Sequence, residues 1–147
     1  MKVESTEIEE IFLKNEDAQW SEDKLKKRGQ NNSYTYQRKY RSKQDEKGDY
    51  SQEIRKPLTS LQYVMLRESH IDPNYKPSSR VRQHFVHKEH SYSIDIYDDI
   101  YGQEKTYILR FDNPENIPME QIMPEWVKVV KDVKLDPKYS LRNIAKA

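Results

Sequence analysis

The chain has 147 residues, 34% apolar and 35% charged, with 26 basic against 25 acidic side chains and no cysteine. That length suits one domain with a modest core, and the near-neutral charge balance names no partner by itself. The lack of thiols excludes disulfides, thiol catalysis and Cys-ligated zinc or iron–sulfur sites.

Taken in order, "EIEEIFL" (Glu7–Leu13) alternates weakly as a strand and runs into an acidic loop, Asn15–Asp23. Lys24–Arg28 and Ser33–Arg41 read as a hairpin around Gly29, Gln30, Asn31 and Asn32, residue types that tolerate turn geometry. A charged loop, Ser42–Asp49, leads to a short strand, Tyr50–Lys56. "TSLQYVMLRES" (Thr59–Ser69) predicts a helix: Thr59 can cap it, and Leu61, Val64 and Met65 recur at helical spacing. Beyond a loop with two prolines, "RVRQHFVH" (Arg80–His87) and "SYSIDIY" (Ser91–Tyr97) predict a second hairpin around Lys88–His90. "KTYILRFD" (Lys105–Asp112) is a further strand with clean alternation. "PEWVKVVKDVKL" (Pro124–Leu135) predicts a closing helix, with proline in its first turn and Trp126, Val129, Val130 and Val133 as its apolar stripe. No apolar run nears the ~20 residues that span a bilayer, and Met1–Glu10 lacks the apolar core of a signal peptide, so a soluble, cytoplasmic domain without a membrane partner is expected.

A strand sends successive side chains to opposite faces, so alternation gathers the charges. Lys24, Lys26, Arg28, Lys39, Arg41, Arg55, Arg80, Arg82 and Arg110 share a face with Glu53, Asp95 and Asp112. Two arrangements accommodate that face. In one, an antiparallel sheet packs its apolar side on the helices and turns its charges to water. In the other, the sheet curls until the charged faces line a polar lumen. Such a lumen carries far more cations than anions and needs a polyanion or abundant water. Phosphate chains suit it, because guanidinium groups grip phosphate oxygens in pairs.

"LKKRGQNNSYTY", "YSIDIYDD" and "PEWVKVVKDVKLDPKYSLRNIA" together resemble the CYTH domain of the triphosphate tunnel metalloenzymes, particularly CYTH-like domains found beside ATPase domains. The similarity runs from about Glu7 to Ala145. It implies an α+β fold: an antiparallel β-barrel or tunnel with helices packed outside. Its basic residues would bind a triphosphate, and its acidic residues would hold Mg²⁺ or Mn²⁺ for triphosphatase, polyphosphatase or cyclase chemistry. Lys24 and Lys26 fall where the family has Arg-x-Arg, Lys39 or Arg41 near the basic end of the third strand, and Arg80 and Arg82 on the basic pair before the "IDIY" strand.

The acidic half of the pattern departs from the family. "EIEEIFL" matches the opening Glu-x-Glu-x-Lys strand only with Ile11 in place of lysine; aligned as the second strand instead, it leaves a half-open barrel without the first. The paired glutamates before the first helix appear as Glu53 and Arg55, and the late Glu-x-Glu as Arg110 and Asp112. The resemblance therefore implies a degenerate member. Lys24, Lys26, Arg28, Lys39, Arg41, Arg80, Arg82 and Arg110 would bind the phosphates of a nucleotide, polyphosphate or other phosphorylated small molecule. Glu53, Asp95 and Asp112 would remain as weak Mg²⁺ or Mn²⁺ ligands, with hydrolysis weakened or lost and no catalytic residue assigned.

An active metal-dependent triphosphatase and a charged interaction module for an acidic partner or RNA are the alternatives, although nucleic acid is not the expected ligand. A second copy could pair with an open sheet edge. His70, His84, His87 and His90, the "DIYDD" cluster at Asp95–Asp99, and Tyr34, Tyr36 and Tyr40 offer lesser metal, acid–base or base-stacking readings.

Overall fold

The computed structural model of the chain describes residues 2–16 and 20–146. Positions 17–19 of the expected acidic loop lie outside the described residues. The strands are β1 (Glu4–Phe12), β2 (Glu22–Gln30), β3 (Ser33–Arg41), β4 (Glu53–Leu58), β5 (Ser78–His87), β6 (His90–Ile100) and β7 (Gln103–Phe111). The helices are α1 (Ser60–His70), α2 (Met119–Ile122) and α3 (Leu141–Ile144), and a 3-10 turn covers Pro137–Tyr139. No helix among the described residues is long and apolar enough to cross a membrane. The chain divides into two compact units: Glu7–Ser79 with Val133–Ala147, and Met1–Thr6 with Arg80–Asp132.

In the larger unit the strands run in the order β4-β3-β2-β1, all antiparallel. The predicted first hairpin forms with Asn31 and Asn32 as its two turn residues, at φ 52° and 63°. Those left-handed angles give a turn whose twist matches the strands, which asparagine tolerates better than most residues. The fourth strand starts at Glu53, later than the expected Tyr50, and Tyr50 instead bridges Gln44.

Helix α1 forms where the pattern places it. Thr59 accepts from the Gln62 amide, and the Gln62 side chain accepts from the Thr59 amide, a reciprocal cap. One side of the sheet is apolar: Ile11, Leu13 and Leu25 cluster with Tyr63 of the helix, and Tyr36, Leu58, Leu66 and Ile71 pack around them. The helix seats itself with Tyr63 and Leu66. Leu61, Val64 and Met65, which the helical spacing marks as the apolar stripe, are instead largely exposed.

On the opposite side of the same sheet, Arg142 of α3 lies against the rings of Phe12 and Tyr75, at 5.0 and 5.4 Å, and bonds the Ser21 carbonyl at 2.6 Å and the Tyr75 hydroxyl at 3.0 Å.

The smaller unit is the meander β5-β6-β7. Its second predicted hairpin turns at Lys88 and Glu89 (φ 48° and 65°), and a further one turns at Tyr101 and Gly102 (φ 52° and 75°). Phe85, Tyr92 and Ile122 form its core with Ile94, Leu109, Phe111 and Ile117 packed around them, and the Tyr92 hydroxyl donates to the Ile122 carbonyl.

The expected helix over Pro124–Leu135 is absent; the segment is irregular, with turns at its two ends. Four valines in ten residues weaken helix propensity, and a short helix depends on burying one face. Trp126 reaches Phe85, but Val130 is 91% exposed, so no continuous stripe is buried.

Candidate functional site

Register decides which charges meet. Lys24 stands directly opposite Lys39 across the β2–β3 ladder, and Lys39 opposite Arg55 across β3–β4. Arg41 lies between Glu22 and Glu53, and Glu10 opposite Lys26. All these side chains share the face away from α1, as alternation requires.

That face is not turned to water. Lys24 is 2% exposed and Lys39 3%, and Lys26, Glu10 and Glu22 are buried too. Lys24 Nζ is 2.7 Å from Glu10 and 3.8 Å from Glu22. Glu53 receives Lys39 at 3.1 Å, Arg41 at 3.4 Å and Arg55 at 2.6 Å. Burial together with the neighbouring Arg41 and Lys24 charges pushes the Lys39 ammonium down to about 8, despite its glutamate. Burial alone would raise the Glu53 carboxyl, but the bonds from Lys39 and Arg55 override it and hold it at about 2.

The smaller unit repeats the theme around one carboxylate. Asp95 is fully buried and takes both oxygens' worth of Arg82, at 2.6 and 2.9 Å, with Arg80 at 3.3 Å and Arg110 at 3.2 Å. Burial would raise its carboxyl; the Arg82 bonds and the three guanidinium charges keep it below its ordinary value. His84 pairs with the Ser93 hydroxyl at 2.8 Å on the same face.

The predicted site residues thus divide. Lys24, Lys26, Lys39, Arg41 and Arg55 gather on the larger unit's charged face, and Arg80, Arg82 and Arg110 gather on the smaller unit's. Arg28 is exposed beside the first hairpin turn, and Asp112 is exposed just beyond β7. Glu53 and Asp95 are each wrapped by three cationic side chains, and among the described residues no group of three or more His, Asp or Glu side chains is arranged to hold a metal.

Of the lesser candidates, His87 and His90 face each other at the hairpin, His70 ends α1 against Ser69, and Asp98 pairs with Lys105. Tyr36 packs on Tyr63 and Tyr40 on Trp20, on the side away from Lys39, while Tyr34 donates to Glu7.

Two members of the network are not among the residues singled out in the sequence: Glu10 and Glu22. Glu22 has the parity of Lys24, Lys26 and Arg28 and extends that row by one place, a legible signal. Glu10 depends on the β1–β2 register, which sequence alone does not supply.

Comparison of the chain with protein-family models, with curated proteins and with solved structures returns no match.

Proposed function

We infer that the chain binds a short polyanion of the triphosphate, nucleotide or polyphosphate kind on the Lys24–Lys39 face, with metal-dependent hydrolysis weakened or lost. The observation that carries this reading is the placement of Lys24 directly opposite Lys39 with both nearly inaccessible to water. Like charges facing each other across a ladder destabilise it, and low dielectric magnifies the cost. Glu10 and Glu22 lie beside Lys24, while the single carboxylate of Glu53 is shared by Lys39, Arg41 and Arg55, so one anion serves three cations there. A phosphoanhydride chain supplies the missing negative charge, and the planar guanidinium groups of Arg41 and Arg55 suit its oxygens.

The closed barrel that the CYTH resemblance implies is the finer form of the same proposal, as is a cytoplasmic setting. Hydrolysis is expected to be poor. Mg²⁺ or Mn²⁺ at Glu53 or Asp95 would have to displace guanidinium groups, which fill the metal's electrostatic role without activating water.

Thermal melting with tripolyphosphate tests the reading. Metal-free tripolyphosphate should raise the melting temperature by several degrees, and the double substitution Lys39→Met with Arg41→Gln should remove the shift. Phosphate release that requires Mn²⁺ and disappears in Glu53→Gln would favour the triphosphatase instead. Stabilisation by RNA or an acidic peptide, with none from tripolyphosphate, would overturn the reading in favour of an interaction module.

A further inference from the structure

Strand β7 closes the β5-β6-β7 meander on one side, and among the described residues no strand pairs with its outer edge. Such an edge presents unpaired amides and carbonyls, which proteins ordinarily blunt with proline, brevity, cover or charged side chains, and the charges on β7 are Glu104, Lys105 and Arg110. The other terminal strand, β4, is blunted: it is six residues long and contains Pro57. β7 is nine residues long, contains no proline, and has five exposed residues, among them Tyr107 at 63%.

Its sequence is also complementary to itself. When two copies pair antiparallel about a two-fold axis normal to the sheet, residues of equal parity must meet, so the axis passes through a residue position. An axis at Tyr107 sets Glu104 opposite Arg110 of the second copy and Arg110 opposite its Glu104, two ion pairs on one face. It also sets Lys105 opposite Leu109, Thr106 opposite Ile108, and the exposed Tyr107 against itself. An axis at Lys105 would oppose two lysines, and one at Ile108 would bring Glu104 against Asp112. Of these three registers, only the one at Tyr107 sets opposite charges directly against each other.

We propose that β7 is a homodimerisation edge, pairing antiparallel with β7 of a second copy about Tyr107 and so joining the two meanders edge to edge. The partner is a second copy because the charges of Glu104 and Arg110 find their complements in this same strand. The inference is independent of the anion-binding reading, since it rests on the outer edge of β7 and not on the buried lysines.

Light scattering of the full chain over a concentration series should show a dimer. Glu104→Arg alone should give a monomer, because two arginines then face each other at both ends, and Arg110→Glu alone should do the same. Mixing the two variants should restore the dimer, since each then supplies the charge the other lacks. The chain has no cysteine, so Tyr107→Cys provides an unambiguous crosslink. Opposed strand residues lie ~4.5–5.5 Å apart at Cα, within the span of a disulfide. Mild oxidation should therefore link that variant as a dimer, and Ile54→Cys on β4 should stay unlinked.

Melting curves establish that each variant is folded. If Arg110→Glu is not, because Arg110 also reaches Asp95, then Glu104→Arg and the Tyr107→Cys crosslink decide the matter. A wild-type monomer at about 1 mM, near the weakest useful association, would overturn the proposal. So would a dimer indifferent to Glu104→Arg, or a crosslink through Ile54→Cys in place of Tyr107→Cys.

Discussion

Arg82 holds Asp95 at two points, Nε to Oδ1 at 2.6 Å and Nη2 to Oδ2 at 2.9 Å, across one rung of the β5–β6 ladder. The carboxylate is the common counter-ion of Arg80, Arg82 and Arg110. Asp95→Asn keeps the shape and removes the charge, leaving guanidinium groups facing one another at low dielectric. Removing one member of a buried ion network costs about 3–5 kcal/mol, and denaturant unfolding should show a loss of that order. The Asp95 carboxyl lies below its ordinary value in the folded chain, so its contribution is present above the unfolded value and disappears as pH falls through the folded one.

Lys24 and Lys39 should respond differently to the same substitution. Lys24→Met removes the ammonium 2.7 Å from the buried Glu10 carboxylate and should cost about 3–5 kcal/mol. Lys39→Met removes a repelled cation, while Glu53 keeps Arg41 and Arg55. Its loss should be smaller than that of Lys24→Met, because the cation removed is itself repelled and its carboxylate keeps two guanidinium partners. Paired urea titrations check the ordering; equal losses would show that Lys39 is not under repulsion.

Lys39 also sets a pH dependence. Its folded value of about 8 lies below the ordinary 10.5, so between those limits the unfolded chain binds more protons and stability rises with pH. Lys39→Met should flatten that rise. A bound polyanion would draw the proton back, so tripolyphosphate binding near pH 9 should take up protons. Calorimetry in buffers of different ionisation enthalpy measures that uptake directly.

The first hairpin is sterically tight at Gly29. A methyl group there would meet the Ser33 carbonyl oxygen at 2.0 Å and Tyr34 Cα at 2.8 Å, both backbone atoms. Gly29→Ala should lower stability by about 1–3 kcal/mol, as overpacking does. Gly102, at φ 75° in open space, suffers only the left-handed penalty on substitution, and Gly102→Ala should cost about 1–2 kcal/mol. Chemical denaturation of the two variants compares them.

The strands, both predicted hairpins and α1 were legible because each rests on local chemistry: alternation, asparagine at the turn, a threonine cap. The row from Lys24 to Arg28 and its neighbours Lys39 and Arg41 could also be assigned to one face, since period two leaves no other choice. Burial of that face could not be read, because it depends on what covers the sheet. Nor could the glutamate partners, which depend on register. The closing helix failed for the complementary reason: its stripe at Trp126, Val129, Val130 and Val133 has the right period, but periodicity does not guarantee a surface to bury it on.

The hold of Arg142 on the Ser21 carbonyl joins residues 121 positions apart in the chain. A hairpin such as β2–β3 can zip as soon as its own residues emerge from the ribosome, but the loop closed by Arg142 encloses most of the protein. High contact order slows folding, because that chain entropy is lost before the contact returns anything. During synthesis, then, the larger unit can complete this contact only after the segment carrying Arg142 has emerged.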